Sequence, residues 1–89
     1  MRFVLDGGSV GSRETLHRTL AAGLRLPDWY GGNLDALRDC LTDITEPTEL
    51  VVRSGAALEA ALGGYAVSLR RVLADCAAEN GLFSVVWEA

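Results

Sequence analysis

Apolar positions along this chain follow two rhythms. Leu16, Leu20 and Leu24 recur every fourth residue, and Leu34, Leu37, Leu41 and Ile44 follow the three-and-four spacing of a single helical face. Leu69, Val72, Leu73 and Cys76 repeat that spacing inside Val67–Ala78. Between these stripes lie short apolar runs closed by turn residues: Phe3-Val4-Leu5 before Asp6-Gly7-Gly8, Leu50-Val51-Val52 after Pro47, and Phe83 to Trp87 after Asn80-Gly81. Such runs read as strands. Ser12 is placed to cap the first helix from Arg13, and Asn33 to cap the second. Gly23 weakens the last turn of the first helix and Pro27 forbids its continuation. Ala56–Leu62 reads as a short third helix broken by Gly63-Gly64, and Asn80-Gly81 ends the fourth. Strands alternating with helices predict an α/β fold, with parallel strands joined by helical crossovers.

Eighty-nine residues suffice for one domain, 1–89, with one core. There is no lysine, and acids exceed arginines, so direct binding to a phosphate backbone is disfavoured. The excess is local. Residues 28–49 hold Asp28, Asp35, Asp39, Asp43, Glu46 and Glu49 against Arg38 alone, whereas the remainder is close to neutral. A field of this kind attracts basic partners; taken alone, it is also what a solvated acidic surface looks like. Cys40 and Cys76 form no CxxC pair and read as reduced thiols of a cytoplasmic protein. The N-terminal apolar run is too short for a signal peptide, and no stretch approaches a membrane span.

The second helix carries the chemistry. At about 100° per residue, Asp35, Asp39 and Asp43 lie at roughly 0°, 40° and 80° around its axis, turned away from the apolar stripe. Carboxylates four apart repel by about 0.2–0.5 kcal/mol per pair, a cost that binding would justify and that Arg38 could partly offset. Trp29 and Tyr30 precede the helix. They are amphipathic surfaces with few rotatable bonds, suited to anchoring a partner or to the core. Gly31 and Gly32 permit close approach of another backbone.

The stretch Leu26-Pro27-Asp28-Trp29-Tyr30-Gly31-Gly32-Asn33-Leu34-Asp35-Ala36-Leu37-Arg38-Asp39-Cys40-Leu41 resembles the signature of the barstar family of intracellular ribonuclease inhibitors. Length and element order agree with that resemblance along the whole chain. It implies a three-stranded parallel sheet with helices packed against it, and a non-enzymatic inhibitor. Its partner would be a small basic microbial ribonuclease of the barnase type, bound 1:1 by a chain that is monomeric when free. By the same resemblance Asp39 enters the nuclease active site in place of the substrate phosphate, and Asp35 engages a neighbouring basic or guanine-site group. Trp29 packs on the catalytic imidazole region, and Gly31, Asn33, Thr42 and Ile44 line the same face. An acid on the fourth helix also belongs to the pattern: Asp75 if the following loop is displaced by one residue, with Cys76 at the undisplaced position. The chain departs from the pattern at Gly32, where a larger residue is common, and at Arg38, where an aromatic is common. Arg38 is expected to set a cation on the rim of the acidic face and weaken attraction to the most basic nucleases. The alternative is an interaction or toxin-immunity module on the same fold without a barnase-type partner.

Other candidate chemistry is thin. Gly7-Gly8-Ser9-Val10-Gly11-Ser12 follows a strand, but lacks the phosphate-loop ending and dinucleotide spacing, and reads as a turn. His17 is a satisfied or partly exposed polar residue in mid-helix. No spacing suggests a metal, a cofactor or a catalytic thiol. Arg70-Arg71 is too short a basic run for nucleic-acid contact.

Overall fold

The computed structural model describes residues 1–89. Its elements are β1 (Arg2–Asp6), a 3-10 turn (Gly7–Ser9), α1 (Arg13–Gly23), α2 (Leu34–Thr42), β2 (Thr48–Arg53), α3 (Gly55–Leu62), α4 (Gly64–Glu79) and β3 (Phe83–Trp87). The three strands form one parallel sheet in the order β1-β2-β3. Phe3 pairs with Leu50 and Leu50 with Val85; Leu5 pairs with Val52 and Val52 with Trp87. Successive side chains on a strand alternate faces, so this register puts those six residues on one side. That side meets Leu16, Leu20, Leu37, Leu41, Leu58, Leu69 and Leu73 in a single core. On the other side Val51 is buried and Val86 exposed, between the ion pairs Arg2–Glu49 and Arg53–Glu88. The α/β architecture with a three-stranded parallel sheet is therefore as expected.

Local chemistry explains most boundaries. Ser12 Oγ accepts from the Thr15 amide and Asn33 Oδ1 from the Ala36 amide, each satisfying a donor that the helix start leaves open. Asp6 caps the 3-10 turn through the Gly8 amide. Gly7 lies against the Arg53 and Ser54 carbonyls, 2.7 and 2.6 Å from where a Cβ would stand, so this glycine serves close packing of the turn.

Two helix boundaries differ from expectation. The second helix stops at Thr42, so Ile44 packs on the core from the following loop and is not part of the helical stripe. The fourth helix begins at Gly64, three residues before Val67, because Gly63 alone takes the positive φ of 58° that turns the chain; Tyr65 thereby joins the first turn of α4. Past the end of α1 the left-handed residue is Arg25 (φ 54°), and the Leu26 amide closes the helix end on the Ala21 carbonyl at 3.0 Å.

Gly23 has a different task. A Cβ there would stand 2.2 Å from Cζ of Phe3, so any larger residue must displace the β1 ring where it crosses the helix. Alanine gains about 1 kcal/mol in helix propensity, but the overpacking costs about 1–3 kcal/mol. Gly23→Ala is expected to lower stability in urea unfolding, and to lose less when combined with Phe3→Leu. A stabilising Gly23→Ala would refute this packing account.

Candidate protein-binding face

Beyond Leu26 the chain turns at Pro27, whose carbonyl accepts from the Tyr30 amide at 2.9 Å. Gly32, at φ 68°, then redirects it into the Asn33 cap and α2. Within α2, Leu37, Cys40 and Leu41 are buried. Helical geometry therefore forces Asp35 and Asp39 outward on the opposite flank, followed by Asp43 at the helix end. All three are exposed, and none forms an ion pair with any of the eight arginines.

Trp29 and Tyr30 divide their roles. Trp29 is 69% exposed, the most exposed of the chain's large apolar side chains. It overhangs a groove of about 350 Å³ whose lining includes Leu24, Leu26, Pro27 and Ile44. Tyr30 is half-buried against the core, with its hydroxyl turned inward to Nδ1 of His17. The two aromatics are thus not equivalent outer surfaces. Gly31, Gly32 and Asn33 are exposed beside them. A second hollow, lined by Gly32, Asn33, Asp35, Arg13 and Tyr65, lies at the start of α2.

Arg38 corrects an expectation. Its guanidinium bonds Asp75 at 2.8 Å and Glu79 at 3.1 Å, both on α4. The hydrogen bond to Asp75, with the charges of Glu79 and Asp75, raises the already high pKa of Arg38. Two carboxylates more than offset its charge, so it is not a free cation on the acidic rim, and it forms no ion pair with the α2 carboxylates. Asp75 lies at the surface within this pairing, whereas Cys76 is fully buried. Thr42 donates its hydroxyl to the carbonyls of Arg38 and Asp39 (2.9 and 3.2 Å), leaving its methyl group and lone pairs for other contacts.

Two contributors escaped the sequence reading. Asn80 ties off α2 from a distance: its amide donates among the carbonyls of Leu41, Thr42 and Ile44 at 3.0–3.4 Å, while Oδ1 accepts from the Leu82 amide. Asparagine after a helix was visible only as a stop signal. His17 is buried, and both ring nitrogens are engaged, Nδ1 by Tyr30 and Nε2 by Tyr65 at 2.5 Å. Arg13 stacks over the Tyr65 ring at 4.3 Å. Of the two expected states of His17, satisfied or partly exposed, the structure shows the first, with partners 13 and 48 positions away.

Cys40 and Cys76 are free and buried, and burial raises both thiol pKa values. No group of three His, Cys, Asp or Glu side chains converges on a possible metal position, and no helix is long and apolar enough to cross a membrane.

A family model described as Barstar (barnase inhibitor) matches residues 1–88. The chain belongs to the barstar family. It is also 37% identical over 79 residues to a Bacillus subtilis (strain 168) protein named "Putative ribonuclease inhibitor YrdF", an alignment spanning 88% of this chain and 87% of that protein. In this barstar-family chain the sixteen-residue motif that carried the resemblance folds as one continuous feature: helix end, turn, cap and acidic helix.

Burial lowers the pKa of His17 below 6.5. The unfolded chain therefore takes up the proton first as pH falls. Stability due to this group is complete above about pH 6.5 and declines below it, down to the lowered folded value. Urea unfolding at about pH 7.5 and about pH 5.5 checks this: wild type should lose more stability over that interval than His17→Gln, in which the titration is absent. Equal losses would refute it.

Proposed function

We propose that this chain inhibits a small basic ribonuclease of the barnase type by occluding its active site in a 1:1 complex. It has no catalytic role of its own. The observation that carries this reading is that Asp35 and Asp39 are exposed and free of ion pairs, although the chain holds eight arginines. A ribonuclease must gather positive groups to grip phosphate and to stabilise the charge that develops during cleavage. Those groups are suited to carboxylates held on a rigid helix, because arginine–carboxylate hydrogen bonds are strong and directional.

In this arrangement Asp39 takes the phosphate position and Asp35 meets an adjacent cation. Trp29, beside the groove that Ile44 helps to line, supplies apolar contact over the nuclease imidazole. Gly31 and Asn33 permit close approach, and Tyr30, Thr42 and Asp43 complete the surface. Asp75, joined to Arg38, forms its α4 border. The buried free thiols suit a reducing compartment, which in this reading is the cytoplasm. The whole 28–49 segment adds a local negative field that speeds encounter.

Truncating a buried, hydrogen-bonded charge pair at an interface costs about 2–5 kcal/mol. Asp39→Ala should therefore weaken inhibition of RNA cleavage by at least ~30-fold against the nuclease that wild type inhibits best, with little change in the thermal unfolding midpoint. A panel of microbial ribonucleases, none of them inhibited by the folded wild-type chain, would refute the reading.

The ion pairing of Arg38 gives a second expectation. Association should slow as ionic strength rises from ~0.05 to ~0.5 M. Arg38→Ala, which releases Asp75 and Glu79, should speed association at low salt and steepen the salt dependence. Stopped-flow mixing measures both, and a salt-independent rate would favour an apolar docking mode centred on Trp29.

A further inference from the structure

The segment Pro27–Gly32 carries Trp29 and leads into the acidic helix, and apart from the packing of the Tyr30 ring on the core few bonds hold it. Its one internal backbone bond, Tyr30 amide to Pro27 carbonyl, is local. Pro27 has no amide hydrogen to donate, and Gly32 sits at a positive φ. Trp29 is mostly in solvent. The single hydrogen bond from Pro27–Gly32 to another part of the molecule joins the Tyr30 hydroxyl and Nδ1 of His17.

His17 is equipped to hold that hydroxyl. Its ring lies in α1, 5.8 Å from the Tyr30 ring and 5.9 Å from that of Tyr65, inclined at 49° and 78°. It is 4% exposed, so its position is set by the core around Leu16 and Leu20. Its far nitrogen is fixed by Tyr65, and Tyr65 is covered by Arg13. A neutral imidazole donates from one nitrogen and accepts at the other, so the two tyrosine hydroxyls take complementary roles around it.

We propose that His17 is a positioning residue of the binding face: buried in α1, it pins Tyr30 and thereby pre-organises the Trp29–Gly32 approach that a partner must meet. This rests on the proposed inhibitor function only for its binding readout. The contribution is one of preorganisation: a segment already held in its bound shape loses less freedom when the partner docks.

The two nitrogens can be separated by substitution. An asparagine side chain places its amide near the Nδ1 position and a glutamine near the Nε2 position. His17→Asn therefore keeps the link to Tyr30 and loses that to Tyr65, while His17→Gln does the reverse. Tyr30→Phe and Tyr65→Phe remove the same links from the other side with His17 intact. Two measurements are made on each folded variant. One is the dissociation constant with the barnase-type ribonuclease that wild type inhibits. The other is amide hydrogen exchange at residues 28–32 in the free chain.

His17→Gln and Tyr30→Phe should weaken binding by ~3–10-fold, the scale of one hydrogen bond, and should speed exchange in that segment. His17→Asn and Tyr65→Phe should remain within ~2-fold of wild type in binding. A residue that serves stability alone would not separate these pairs. Equal binding and equal exchange in the two pairs would overturn the proposal. If His17→Asn fails to fold, the tyrosine pair makes the same comparison. If wild type binds no ribonuclease, the function proposed above falls, and the exchange contrast by itself upholds or overturns the pinning of Tyr30.

Discussion

A helix packed on a core has one inward side, and in α2 that side belongs to Leu37, Cys40 and Leu41. Everything at the candidate face depends on their burial. Rotating α2 to hide Asp39 would expose three apolar side chains, at about 1.5–3 kcal/mol for each leucine. The carboxylates are thus held outward by hydrophobic energy that has nothing to do with charge. Asn33 fixes where the helix starts, and Asn80, reaching over from the end of α4, fixes where it stops. A short helix pinned at both ends and along one side gives Asp35 and Asp39 a defined spacing.

Electrostatics alone would not choose this arrangement. Asp35, Asp39 and Asp43 crowd one flank, and the nearest arginine on the helix, Arg38, turns toward α4. That orientation has two consequences. It ties α2 to α4 by an ion pair at the surface, where such pairs contribute little to stability. It also leaves the α2 carboxylates without an internal counter-charge. The chain thus separates a self-neutralised border, Arg38 with Asp75 and Glu79, from an uncompensated patch. Only the patch offers a cationic partner charges that are not already spoken for.

Local features were legible in the sequence, and distant ones were not. The Ser12 and Asn33 caps, the acidic flank and the inward Cys40 follow from spacing within a few residues, and each holds. Tyr65 could not be connected to His17 because Gly64 reads as a helix breaker, whereas one glycine, Gly63, suffices for the turn and α4 starts at the next residue. Gly23 reads as a weak point in α1, but the ring of Phe3, twenty positions earlier, occupies the space that a side chain there would take. Arg38 reads as a cation on an acidic helix, and only the packing of α2 beside α4 reveals the carboxylates that offset it. In each case the deciding partner lies across the core, where hydrophobic periodicity carries no information about which polar groups will meet.

The neighbours Trp29 and Tyr30 show how such a distant contact would serve the proposed face. An aromatic that anchors a partner must remain exposed before binding, so Trp29 cannot also fasten its own backbone to the core. The adjacent residue takes that task. Tyr30 buries part of its ring and sends its hydroxyl inward, where a buried histidine receives it. A phenylalanine there could bury its ring but would leave a nitrogen of His17 without its partner, a cost of about 1–3 kcal/mol. One outward and one inward aromatic, followed by two glycines, let a short segment with few backbone bonds hold Trp29 in solvent while its neighbour is fastened to the core, which is the geometry that the proposed docking on α2 requires.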